Sequence, residues 1–142
     1  AETLTNEELL ELDVDVLVPA ALENVLTEEN AGNISASVVA ELANNPSTYE
    51  ANRIMDENGV YVIPDILCNA GGVTVSYFEQ VQNASYYYWD LDTVQERLDN
   101  KITDAFHDVH ELSVDRGVTP RKAAFVLAVR RVYESMDVRG WV

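Results

Sequence analysis

At 142 residues with 47% hydrophobic side chains, the chain is sized for one domain with a sizeable core, and no apolar run approaches the roughly 20 residues that a membrane-spanning helix needs. Its 25 acidic against 9 basic residues give a formal net charge of −16, which should repel nucleic acid and anionic membranes and so excludes both as partners.

The elements follow in chain order. Thr5 to Glu8 reads "TNEE", a capping-box pattern that predicts a short helix ending near Leu12. "DVDVLVPAA" is a β-rich apolar run stopped by Pro19, a strand feeding a loop, and "ASVVAEL" at 36–42 repeats that character. In "STYEANRIMDENG", Ser47 is the expected N-cap and Gly59 the expected stop of a helix. "VYVIP" at 60–64 is a third strand. Short apolar strands separated by helical segments predict parallel pairing through right-handed crossovers. After Pro64 no strand is evident. Val73, Tyr77, Phe78 and Val81 fall on one helical face, as do Val94, Leu98, Ile102, Phe106, Val109 and Leu112 on the next. "NASYYYWD" at 83–90 is the expected turn between those helices, with its aromatics packed on them. Thr119–Pro120 opens a last helix with Phe125, Val129, Val132 and Met136 along one face. The expected fold class is therefore α/β, with about three parallel strands and then C-terminal helices.

Ligands of open α/β sheets bind beyond the carboxyl ends of the strands. That rule selects "PAALEN", "LANNPST" and "PDILCNAGG", which bring Ala20, Ala21, Asn44 and Asn69 to one edge with much exposed backbone. Small residues and amides suit a flat, neutral, hydrogen-bonding group. Gly71 and Gly72, at the start of the following helix, allow close approach, and its first amides together with the Ser76 hydroxyl would favour a carboxylate. Tight helix packing is the competing explanation of the glycine pair, and neither GxGxxG nor GxxxxGK[ST] occurs in the chain.

Other candidates are weaker. His107 and His110 in "FHDVHE" could share a metal with Asp108 or Glu111, but a solvated helix face explains them more simply. Cys68 has no base beside it in the sequence and reads as a small packed thiol. As the single cysteine it rules out an internal disulfide, and "AETLTNEELLELD" lacks the basic and apolar segments of a secretory signal, so a cytoplasmic setting is expected. Only Lys101 and Lys122 are lysines, and an acid-rich, lysine-poor surface suits high salt, where self-repulsion is screened. An acidic partner-binding surface is the alternative.

"LDVDVLVPAALEN", "VVAELANNPST", "VYVIPDILCNAGGVTVSYFEQVQN" and "ITDAFHDVHELSVDRGVTPRKAAFVLAVRRVYESMDVRG" resemble, in order and spacing, the C-terminal portion of hexameric glutamate dehydrogenases. With the charge balance the resemblance points to a haloarchaeal member. It implies residues 1–66 as the C-terminal half of a Rossmann-like nucleotide-binding domain and 67–142 as a helical segment packing on it. The reaction implied interconverts L-glutamate with 2-oxoglutarate and ammonia, with NAD or NADP carrying the hydride. By the same resemblance Ala20 and Ala21 run beside the nicotinamide end of the cofactor, Asn44 lies near its ribose and Asn69 near its carboxamide. Val73 is implied against the aliphatic carbons of the substrate, and Ser76 toward its side-chain carboxylate.

The family's catalytic lysine and aspartate and its Gly-rich turn would lie upstream of Ala1. The chain alone is therefore expected to be an inactive fragment, hexameric when intact, and to self-associate through surface its missing half should cover. A non-catalytic assembly or regulatory module on the same scaffold is the alternative. Leu42 is the feature that favours that alternative; Leu42 and Asn45 both stand where the family usually has glycine. Bulk at Leu42 is expected to crowd a cofactor, and Asn45 must accept glycine-like backbone geometry.

Overall fold

The computed structural model describes residues 3–142. The chain divides into two compact units, one ending at Asn69 and the other running from Ala70 to Val142.

In the first unit, α1 (Asn6–Leu10) is capped as its sequence demands. The Thr5 side chain accepts from the Glu8 amide, and the Glu8 carboxylate accepts from the Thr5 amide at 2.8 Å. Three short strands, β1 (Val16–Leu17), β2 (Val38–Ala40) and β3 (Tyr61–Ile63), form one parallel sheet in the order β1-β2-β3. Val39 pairs with Leu17 on one side and with Val62 on the other. Those three are buried, with Leu10, Leu26, Ala31, Ile34, Ala36, Ala51 and Met55 completing the core.

The crossover from β1 to β2 departs from expectation. It carries only a 3-10 turn at Ala31–Asn33, and holds itself down with backbone bonds instead of a helix. Leu26 donates to the Pro46 carbonyl and Thr48 donates to the Leu26 carbonyl, each at 2.9 Å. The β2 to β3 crossover does contain a helix, α2 (Tyr49–Glu57), but its cap is Thr48, which accepts from Ala51 at 3.1 Å. Ser47 is instead buried, with its hydroxyl turned to Glu41. Gly59 follows the C-cap Asn58 at φ +79°, the left-handed geometry that ends helices. A one-turn helix, α3 (Asp65–Cys68), closes the unit.

The second unit consists of α4 (Ala70–Ser85), α5 (Leu91–Arg116) and α6 (Pro120–Val138), with α5 packed against both others. Expectation holds best for α5, where Val109 is buried and Val94, Leu98, Ile102, Phe106 and Leu112 are half-buried. In α4 no residue is buried, and Val73 and Tyr77 are exposed. The aromatics of the turn are not packed either: Tyr86 is 88% exposed, with Tyr87 and Tyr88 also open. Only Trp89 packs, edge-on to Phe78 at 5.6 Å and under the Arg97 guanidinium at 4.2 Å.

The α6 helix turns the opposite side inward from the one its large residues suggest. Ala123, Ala124 and Leu127 are buried, while Phe125, Val129 and Val132 are exposed. Positions two apart lie roughly 200° around a helix, so burying Ala123 puts Phe125 on the open side. Small side chains there permit close packing of α5, which buries Val109 and Ser113.

Candidate functional site

Because all three strands are parallel, the segments that follow them emerge at one end of the sheet. Backbone bonds weld these segments together. Leu42 and Ala43 both donate to the Pro19 carbonyl, at 3.1 and 2.9 Å, joining the loop after β2 to the loop after β1. Asn45 donates its backbone amide to Asp65 Oδ2 at 2.8 Å, joining the loop after β2 to the turn after β3. Asn45 sits at φ +47°, the left-handed geometry that asparagine tolerates better than most residues.

On this edge Ala20 and Ala21 are exposed, Asn44 is exposed and Asn69 is half-buried at the end of α3. Asn44 and Asn69 come together, with Asn69 Nδ2 donating to Asn44 Oδ1 at 2.7 Å. With that bond made, Asn69 Oδ1 is the pair's further acceptor and Asn44 Nδ2 its further donor. A planar primary amide offers the complementary donor and acceptor. The three segments carry the carboxylates of Glu23, Glu41 and Asp65 but no Lys, Arg or His. Such an edge can hold and orient a neutral polar group; it has no cation with which to grip phosphate.

The residues that sequence reasoning missed lie beneath the amides. Glu41 is fully buried, and both of its carboxylate oxygens accept: Oε1 from the Ser47 hydroxyl at 2.5 Å, Oε2 from the Asp65 amide at 3.0 Å. A charged residue directly after an apolar strand, facing a Ser and an Asp in the neighbouring segments, is the available signal. The Cys68 thiol is pushed above its ordinary pKa, first by burial and second by the Glu41 charge. It is held as the neutral thiol, a poor nucleophile.

In the second unit Val73 and Ser76 stand three apart on α4, both exposed and on one face. A Cβ added at Gly72 would meet nothing within 4 Å, and one at Gly71 only Leu98 Cδ1 at 4.0 Å. Packing inside the chain therefore requires neither glycine. No group of three or more His, Cys, Asp and Glu that could hold a metal exists among the described residues. The His110 ring instead stacks on Phe106, with centroids 6.0 Å apart.

Residues 1–140 match the family described as Glutamate/Leucine/Phenylalanine/Valine dehydrogenase. The chain is 51% identical over 140 residues to the NAD-specific glutamate dehydrogenase of Staphylococcus aureus (strain COL), covering 99% of this chain and 34% of that protein. Among solved structures it is similar to the glutamate dehydrogenase of Peptoniphilus asaccharolyticus, at 42% identity and a TM-score of 0.83, over 88% of this chain and 32% of that one. It is also similar to the hetero-hexameric glutamate dehydrogenase of Thermus thermophilus in its Leu-bound form. There the identity is 32% and the TM-score 0.90, over 96% of this chain and 33% of that one. The chain thus spans about a third of the length of the relatives it matches.

Proposed function

The chain belongs to the Glutamate/Leucine/Phenylalanine/Valine dehydrogenase family, and we propose that it forms part of an NAD(P)-dependent glutamate dehydrogenase. The reaction proposed is the conversion of L-glutamate to 2-oxoglutarate and ammonia. The observation that carries this reading is the joined Asn44–Asn69 pair at the carboxyl edge of the sheet, in a chain so similar to an NAD-specific glutamate dehydrogenase. When bound, NAD or NADP supplies the hydride acceptor. The edge fits only the nicotinamide end of that group, since the pair's acceptor suits a carboxamide and its donor a ribose hydroxyl, while its segments have no cation for a pyrophosphate.

In this reading residues 1–66 are the C-terminal half of the nucleotide-binding domain and 67–142 its helical continuation. Asn69 accepts from the carboxamide of the cofactor and Asn44 donates to the adjoining ribose. The small Ala20–Ala21 loop lets the nicotinamide ring come close. Val73 meets the aliphatic carbons of the substrate and Ser76 donates to its side-chain carboxylate. These residues take binding roles only, and no acid–base role is assigned to any of them. The test is glutamate-dependent reduction of NAD and NADP by the full-length gene product, beside residues 1–142 alone. Turnover is expected only from the former, and turnover by the isolated chain would overturn the division of labour.

The working form is proposed to be a cytoplasmic homo-hexamer; the hetero-hexameric Thermus relative supports six subunits, though not identical ones, and the open apolar face of α6 supports association. The formal net charge of −16 with two lysines supports a halophilic, haloarchaeal source. Leu42 favours a second reading, a non-catalytic assembly or regulatory module. It is 47% exposed, and its backbone is bonded to Pro19, immediately before Ala20, where bulk would meet an incoming cofactor. Titration of the full-length gene product with NAD and NADP separates the two, since absence of binding at every salt concentration supports the module.

A further inference from the structure

We propose that Glu41 is a positioning residue for the amide pair, orienting Asn44 and Asn69 toward the nicotinamide end of the cofactor without touching it; this rests on the reading of those amides given above. A carboxylate that is 0% exposed is costly to bury, and it persists where its oxygens are satisfied by fixed donors. Here the donors come from both segments that carry the amides. Ser47 closes the loop that holds Asn44, and the Asp65 amide opens the helix that ends at Asn69.

The bonds form a continuous circuit. Glu41 accepts from the Asp65 amide, the Asp65 side chain accepts from the Asn45 amide, the Asp65 carbonyl accepts from the Asn69 amide at 3.0 Å, and Asn69 donates to Asn44 at 2.7 Å. Asn44 and Asn69 are 25 positions apart, and no regular ladder reaches either of them. Glu41 is itself the last rung of the sheet, donating its backbone amide to the Ile63 carbonyl at 3.2 Å. It thereby transmits the register of β2 and β3 to the two side chains at the edge. Amides held in one orientation bind without the cost of ordering them.

The test measures binding of NAD and of ADP-ribose, which lacks the nicotinamide, to the full-length gene product and to its E41Q and S47A variants. Glu41→Gln keeps the shape and removes one acceptor. It is expected to weaken NAD binding on the order of fivefold to tenfold and ADP-ribose binding clearly less, since that ligand keeps the ribose contact of Asn44 and lacks the carboxamide contact of Asn69, with S47A following the same pattern more weakly. Equal weakening of both ligands would make Glu41 a general support of the fold and overturn the proposal, as would no effect on either. Should E41Q fail to fold, S47A decides between those outcomes alone. A wild-type protein that binds NAD no better than ADP-ribose defeats the reading of Asn69 as a contact of the carboxamide. A wild-type preference that both variants retain defeats only the role of Glu41.

Discussion

Cys68 is held as a thiol by burial first and by the Glu41 charge second. Its folded-state pKa is raised, so between the unfolded and folded values the native chain keeps a proton that the unfolded chain has lost. Its contribution to stability is therefore whole below the unfolded thiol pKa and disappears as pH rises through the folded one. Alkylation near neutral pH is expected to run slower than for a free cysteine thiol, and C68S to flatten the alkaline loss of stability. Rapid labelling of the folded chain at neutral pH would show the thiol to be activated instead. The two residues at family glycine positions make opposite demands. Asn45 occupies the left-handed region at φ +47°, whereas Leu42 lies outside it, so only the former position needs glycine-like freedom. Asn45→Val is accordingly expected to lower thermal stability by about 1–2 kcal/mol. Leu42→Gly is expected to tighten NAD binding by the full-length gene product roughly fivefold, the equivalent of relieving about 1 kcal/mol of crowding. Unchanged affinity in a titration would remove Leu42 as an obstacle to the cofactor.

Ser47 and Thr48 test the assignment of roles around α2. Thr48→Ala removes the N-cap bond to Ala51, which typically costs about 1 kcal/mol. Ser47→Ala removes a hydroxyl donor to a fully buried carboxylate, a loss of about 1–3 kcal/mol. Denaturant unfolding should rank S47A below T48A; the reverse ranking would return the cap to Ser47. Both residues have capping chemistry, and a sequence cannot say which of two adjacent hydroxyls a buried acid will claim. Signals that act within four residues were legible, the Thr5–Glu8 box and Thr119–Pro120, and the resemblance supplied the glycine-like geometry at Asn45. Apolar periodicity located α4, α5 and α6 but not the inward side of α6, because burial there follows the small Ala123 and Ala124 more than the large Phe125. Likewise the strand-end rule chose loops that the structure joins at one edge of the sheet. Their joining by Glu41 stayed invisible, since one acid among 25 carries no label until the fold encloses it.

At the scale of the molecule, two features oppose one another. Phe125, Val129, Val132 and Tyr133 leave an open apolar stretch on α6, and the three-stranded sheet leaves two unpaired edges at β1 and β3. Both favour association. A net charge of −16 on each copy works against it. The repulsion reaches about 10 Å at 0.1 M salt but only about 3 Å at 1 M, whereas apolar attraction acts at contact and is not screened. Salt therefore shifts the balance in one direction. Residues 1–142 are expected to be monomeric and least stable at low ionic strength, then to gain both thermal stability and mass by light scattering as potassium chloride is raised. Val129→Glu should keep the gain in stability, which comes from screening within a copy, and lose the gain in mass, which needs the apolar face between copies. A mass constant from low to high salt would show that the α6 face does not associate. Stability that falls as salt is added would remove the charge-based argument for a halophilic source.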